Sequence, residues 1–176
     1  MLCVGLDPDV KRIPSSKLLN PEPIFAFNKA IVDATSDLTA CYKLQIAHYA
    51  SEAAEDQLEK TILYIKDKGI PVILDAKRGD IGSTAEKYAR ELFERFGADA
   101  ATVNPFLGGD SLEPYLDYKD KGVFILCRTS NQGGDDVQGL VLKTGERVFE
   151  LIAEKISKDW NYNSNAGLVV GATYPK

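Results

Sequence analysis

The segment Asp75-Ala76-Lys77-Arg78-Gly79-Asp80-Ile81-Gly82-Ser83-Thr84 gathers four charged side chains, two glycines and two hydroxyls in ten residues. Side chains alternate along an extended strand. Asp75 and Lys77 are therefore expected on one face and Ala76 on the other, with α-carbons about 6.6 Å apart at roughly 3.3 Å per residue. Two opposite charges at that spacing can contact one ligand together. Asp80 falls on a loop before a helix, Ile81 and Gly82 approach the helix start, and Thr84 lies in its first turn. Taken alone, Asp-x-Lys also reads as a structural ion pair at a strand end. Lys43 adds to the count, because it sits inside the apolar run Tyr42-Lys43-Leu44-Gln45-Ile46. A buried ammonium needs a carboxylate or a charged ligand beside it, unless its stem carries it to solvent. Lys43, Asp75, Lys77 and Asp80 at one edge form a costly arrangement to keep for stability alone, which favours a site. Position alone also leaves a Schiff-base lysine open. Two flanking carboxylates, however, hold Lys77 protonated and work against a nucleophilic amine.

The elements that must position these residues alternate along the chain. Strand-like apolar runs fall at 2–6, 41–46, 72–74, 100–103, 123–126 and 167–170. Helical periodicity links Phe25, Asn28, Ile31, Val32 and Thr35, then Ala54, Leu58, Ile62 and Ile65, with Gly69 placed to stop the second helix. Ser83 and Glu86 fit a capping box that would start a third helix, whose buried face runs through Ala85, Tyr88, Ala89, Leu92 and Phe96 to a stop at Gly97. Val148, Leu151, Ile152 and Ile156 mark one more. Continuous apolar strands separated by amphipathic helices imply a parallel sheet covered by helices. An open doubly wound sheet and a closed (β/α) barrel both fit this pattern. In either, the functional edge is where strands end. Asp7, Asn104, Arg128, Ser130 and Thr173 fall there, as do Asp75 and Lys77. The loop 129–139 is polar, Gly-rich and long, the kind that often carries function.

Composition narrows the classes. The chain has 176 residues, 44% hydrophobic and 27% charged, which suits one soluble domain, 1–176. A net charge of −5 without a basic block argues against nucleic-acid binding. Cys3, Cys41 and Cys127 are an odd, widely spaced set, and His48 is the one histidine. A disulfide framework and a His/Cys zinc site are thus disfavoured, and buried free thiols in a reducing compartment are expected. His48, near a strand end, reads as a packed or solvated side chain. No stretch reaches the roughly 20 apolar residues of a membrane span, and no signal peptide opens the chain, so a cytoplasmic location is expected.

The ten-residue segment closely resembles the signature of orotidine monophosphate decarboxylases. Further matches follow in order. Val4-Gly5-Leu6-Asp7-Pro8 resembles the family's first strand, and Tyr42-Lys43 its second-strand lysine. Thr102-Val103-Asn104-Pro105-Phe106-Leu107-Gly108, Cys127-Arg128-Thr129-Ser130-Asn131 and Val170-Gly171-Ala172-Thr173-Tyr174-Pro175 resemble the longer bacterial branch. Two places depart from the pattern. Gln132-Gly133-Gly134 stands where Pro-Gly-Ala is expected, and Tyr-Lys-Leu-Gln at 42–45 where Tyr-Lys-Pro-Asn is expected.

The resemblance implies an α/β fold of the (β/α)8 TIM-type barrel class, with about six of the eight strand–helix units present. It implies decarboxylation of orotidine monophosphate to uridine monophosphate in pyrimidine biosynthesis, a lyase reaction without cofactor or metal. Lys43, Asp75, Lys77 and Asp80 would form the charged catalytic network, with Asp80 reaching into the partner's site of a homodimer. Asp7 and Thr84 would hold the ribose region, Ile81 would pack near the base and Ser130 would meet the pyrimidine edge. Barrels of this class run to about 250 residues and commonly bind phosphate on loops after strands seven and eight. The C-terminal part is therefore expected to lie outside this chain, with little activity from a molecule that ended here. Two other readings remain open. One is a magnesium-dependent sugar-phosphate decarboxylase or aldolase of the same barrel group; the other is a nucleotide-binding barrel without activity.

Overall fold

Six apolar runs become six strands, in chain order from β1 to β6. The computed structural model describes residues 1–173. The chain divides into two compact units. One is Met1–Ala76 with Glu91–Ala100, the other Lys77–Arg90 with Ala101–Lys176.

In the first unit, β1 (Cys3–Gly5), β2 (Cys41–Gln45) and β3 (Val72–Arg78, as far as Ala76) run parallel. Gly5 lies opposite Lys43, and Gln45 opposite Asp75. Two short helices, α1 (Ser15–Leu18) and α3 (Ala47–Ala50), accompany two longer ones, α2 (Pro23–Thr35) and α4 (Glu55–Lys66). The expected apolar face of α4 is realised, because Leu58, Ile62 and Ile65 are fully buried. Glu55 and Asp56 at its start and Lys66 at its end complement the helix dipole. Glu22 gives α2 no side-chain cap. Instead Gln57 Oε1 accepts from the N–H groups of Ile24 (3.0 Å) and Phe25 (3.1 Å), which satisfies donors a helix start leaves open. Asn28 is buried as its helical spacing suggests, and its Nδ2 donates to the Tyr49 hydroxyl at 2.9 Å. That hydroxyl donates to the Leu6 carbonyl at 2.9 Å, fixing the residue before Asp7. Asp99 fastens the other end of β3. It accepts from Lys66 Nζ (2.9 Å) and from the Val72 N–H (2.9 Å).

The second unit contains α5 (Gly82–Arg90), β4 (Ala100–Val103, from Ala101 onward), α6 (Glu113–Leu116), β5 (Gly122–Arg128), α7 (Val148–Lys155) and β6 (Ala166–Val170). β5 and β6 are parallel, and their register shifts between Leu126 and Arg128. Such irregularities re-aim side chains, and this one sits at the strand end where Ser130 follows.

Two local expectations change. Helix α5 opens at Gly82, with the Ala85 N–H bonded to the Ile81 carbonyl, so Ser83 lies inside the first turn and cannot be the cap. The carboxylate of Asp80 accepts from the Ile81 N–H at 2.8 Å just ahead of that turn. The thiols are free as expected, but only Cys127 is buried; Cys41 is half-buried and Cys3 exposed. The Cys3 thiol is still pushed up to about 11, by partial burial first and then by its hydrogen bond with Cys41.

Candidate active site

The parallel register of β1, β2 and β3 places three charged side chains at one edge of the first unit. Lys43 Nζ lies 3.0 Å from Asp75 Oδ2 and 3.5 Å from Asp7 Oδ2. Asp7 is held by its other oxygen, which accepts from the Gln45 N–H at 3.1 Å. The Lys43 side chain is 31% exposed and that of Asp75 10%. Burial works against the Lys43 charge, but the hydrogen bond and charge of Asp75, with the charge of Asp7, outweigh it and hold the ammonium above its usual range. Lys43 therefore has the carboxylate partners that its position in an apolar strand demanded. His48 stands nearby in sequence, with Nδ1 at 3.0 Å from the Pro8 carbonyl. Since a carbonyl only accepts, Nδ1 carries the proton, and the imidazole holds the turn after Asp7.

Lys77 departs from the simple strand picture. It is exposed, and its φ is +47°, a left-handed conformation unusual for a lysine. Its N–H donates to Thr102 Oγ1 at 3.0 Å, and Thr102 is itself buried on β4, so the turn is held from the neighbouring strand of the same unit. The segment beyond is equally constrained. Arg78 lies over the Tyr88 ring at 4.6 Å. A Cβ at Gly79 would come 3.2 Å from Asn104 Cβ, so glycine allows that close approach.

A cavity of about 530 Å³ opens in the second unit, lined by Lys77, Leu126, Ser130, Val169, Val170 and Gly171 among others. It joins one cation, the hydroxyls of Thr129 and Ser130, the amides of Asn131 and Gln138 and an aliphatic wall, a combination suited to a flat polar ring beside a charged reacting centre. The structure thus brings Lys77 and Ser130 together, and separately Asp7, Lys43 and Asp75. Asp80, Ile81 and Thr84 follow on the next turn and do not line this cavity; Ile81 is 59% exposed and Thr84 is exposed as well. Thr173 lies in a turn after β6, while Tyr174 and Pro175 fall outside the described residues. Among the described residues no group of three or more His, Cys, Asp or Glu is arranged to hold a metal ion. No helix among them is long and apolar enough to cross a membrane.

Residues 1–176 match the family described as Orotidine 5'-phosphate decarboxylase / HUMPS. The chain belongs to this family. It is 59% identical over 177 residues to the orotidine 5'-phosphate decarboxylase of Aromatoleum aromaticum, covering 99% of this chain and 65% of that one. The solved OMP decarboxylase of Leishmania donovani superposes with a TM-score of 0.84 at 41% identity, covering 97% of this chain and 65% of the other. The UMP synthase of the same organism gives 0.85 at 42% identity, covering 98% of this chain and 37% of the other. The chain spans 65% of the length of the curated relatives it matches. The α/β barrel class follows, with six strands of it among the described residues of this chain.

Within this orotidylate decarboxylase family chain, two supports were invisible to sequence reasoning. Thr102 reads only as another strand residue, and no local signal marks it as the acceptor for Lys77. Gly171 reads as a strand end, yet it decides where Ser130 can sit. A Cβ there would lie 2.9 Å from Ser130 Cβ and 3.0 Å from both its Cα and its N. The Gly171 N–H also donates to the Arg128 carbonyl at 2.7 Å, so neither backbone can yield freely. Gly171→Ala is expected to displace Ser130 and to destabilise the fold by about 1–3 kcal/mol, the cost of a methyl group with no room to enter. Denaturant melts of the variant check this, and unchanged stability would show that the loop accommodates the methyl group.

Proposed function

We propose that the protein carrying this chain decarboxylates orotidine 5'-phosphate to uridine monophosphate in pyrimidine biosynthesis, without cofactor or metal. The observation that carries the proposal is Lys77, on the cavity that also holds Ser130, in a chain 59% identical to a named orotidine 5'-phosphate decarboxylase. Loss of carbon dioxide breaks the bond from ring carbon six to the carboxylate and leaves the electron pair on that carbon. No attached π system spreads the charge well. A fixed ammonium stabilises it as it develops and then delivers its proton to the carbon, with solvent re-protonating the amine.

Lys77 is assigned as that acid. Asp75 and Asp80 are assigned to hold the lysines, with Lys43 as the second cation, so that the charges are set before the reaction. Asp7 and Thr84 take the ribose region, Ile81 packs near the base and Ser130 contacts the pyrimidine edge. The exposure of Ile81 and Thr84 suits a turn that meets a ligand or a second subunit. The working form we infer is a cytoplasmic homodimer, one barrel domain per subunit, with Asp80 completing the partner's site.

Loss of orotidylate absorbance, followed with the protein at its natural length and with excess chelator, tests the reading. Rapid loss at the same rate with and without chelator is expected. Turnover that stops with chelator would favour a magnesium-dependent sugar-phosphate enzyme. Binding of uridine monophosphate without turnover would indicate a barrel that holds nucleotide only.

A further inference from the structure

We propose that Gln138 is a positioning residue for Ser130, clasping the 129–139 loop shut so that the pyrimidine pocket is ordered before substrate arrives; this rests on the decarboxylase reading above. A single side-chain amide meets both polar groups of the residue that precedes Ser130. The Thr129 N–H donates to Gln138 Oε1 at 2.8 Å, and Gln138 Nε2 donates to Thr129 Oγ1 at 2.9 Å. The Thr129 hydroxyl passes its own proton to Asn131 Oδ1 at 2.7 Å, so Ser130 is flanked on both sides by fixed neighbours.

Gln138 is itself anchored. Its N–H donates to the Gly134 carbonyl at 2.8 Å, and its carbonyl accepts from the Phe149 N–H of α7 at 3.1 Å. Beneath the clasp lies the guanidinium of Arg128, 4% exposed, bound to Asp135 Oδ1 at 2.6 Å and lying 5.9 Å from the Phe149 ring centre. Strand end, loop middle and loop end are therefore tied to one another. The Ser130 hydroxyl lines the cavity and makes no hydrogen bond among the described residues, which leaves it available to a ligand.

The loop's departure from the family pattern fits the same device. The resemblance leads one to expect alanine at position 134, where this chain has glycine. A Cβ there would come 2.8 Å from Arg128 Nη1, 3.1 Å from Gln138 Oε1 and 3.2 Å from Thr129 Oγ1. The clasp in this arrangement needs the glycine. A polar, Gly-rich loop is otherwise costly to order, and a ligand that had to order it would bind more weakly. Since Lys77 carries the proton, loosening the loop acts on affinity and leaves the chemical step nearly intact.

The test compares the natural-length protein with Gln138→Leu and Gln138→Glu, reading calorimetric affinity for uridine monophosphate and the kcat and KM for orotidylate. Gln138→Leu keeps the size and removes the hydrogen bonds to Thr129 together with the longer one that Arg128 Nη1 donates to Gln138 Oε1 at 3.4 Å. It is expected to raise the uridine monophosphate Kd and the orotidylate KM about tenfold, with kcat within about threefold. Gln138→Glu keeps the oxygen facing the Thr129 N–H and is expected to lose about threefold in each. Unchanged Kd and KM in both variants, with only a lowered Tm, would overturn the proposal and make the clasp a stabilising contact. If Gln138→Leu does not fold, Gln138→Glu decides by the same readings. A parent protein that binds uridine monophosphate but leaves orotidylate intact sinks the decarboxylase reading alone, and the affinity comparison still judges Gln138.

Discussion

Lys77→Ala is expected to lower kcat for orotidylate by about 10⁴-fold or more while the protein remains folded. Two effects are lost together. Proton delivery by a positioned acid contributes roughly 10²–10⁴-fold, and a preorganised charge at the developing anion about 10²–10³-fold. They belong to one side chain, so they combine without being fully additive. Lys77 is exposed, and its backbone N–H, not its ammonium, is what bonds to Thr102. Alanine keeps that N–H, so the backbone turn should be retained and the protein should still fold. Single-turnover kinetics beside a thermal melt check both halves. Residual activity within about tenfold of the parent would transfer the acid role to another group.

The backbone at Lys77 adds a sharper contrast. A φ of +47° costs a non-glycine residue free energy that the surrounding structure must supply. Gly pays no such steric cost, so Lys77→Gly is expected to be about as inactive as the alanine variant, yet more stable than it by about 1 kcal/mol before the greater chain entropy of glycine is counted. A glycine variant less stable than the alanine variant by the full chain-entropy cost of glycine, about 1 kcal/mol, would mean that the left-handed turn stores no strain. On the proposed mechanism, strain kept at Lys77 fits a turn selected for where it aims the ammonium.

Much of this was legible in the sequence, for identifiable reasons. The strands emerged because their apolar runs are continuous, and each observed strand overlaps its run within a few residues at the ends. Lys43 and Asp75 were legible because a charge in such a run is too costly to stand without a partner. What stayed hidden depends on backbone angles or on contacts distant in sequence. A left-handed lysine carries no residue-type signature, so strand alternation at Lys77 was the natural expectation. The capping box at Ser83 was a sound local pattern displaced by two residues, because the Asp80 carboxylate and the Ile81 carbonyl already open the helix. The clasp of Gln138 on Thr129 spans nine residues of loop and has no periodicity to betray it.

Asp75→Asn is the second substitution with a large expected effect, and it separates charge from shape. Asparagine retains an oxygen near Lys43 but removes the negative charge 3.0 Å from its Nζ, leaving Asp7 at 3.5 Å. A turnover that depends on fixed charges is expected to fall about a hundredfold or more in kcat/KM. The pair is partly buried, so the loss of stability at pH 7 should lie between the exposed and buried limits, at about 1–2 kcal/mol. The pH dependence has a definite sign. The Lys43 pKa is raised in the folded protein above its ordinary value of 10.5, because Asp75 and Asp7 outweigh the burial that opposes its charge. Its contribution to stability is then fully present below pH 10.5 and is lost as pH rises through the higher folded value. The parent should accordingly show no Lys43-linked loss from pH 7 to about 10 and a decline beyond it, and Asp75→Asn should flatten that alkaline decline while lowering the neutral plateau. Denaturant melts across this range, run beside kcat/KM at pH 7, resolve the two roles. An unchanged kcat/KM with a lowered plateau would leave Asp75 as a partner for Lys43 in folding only, and would return the chemistry to Lys77 and the groups around its own cavity.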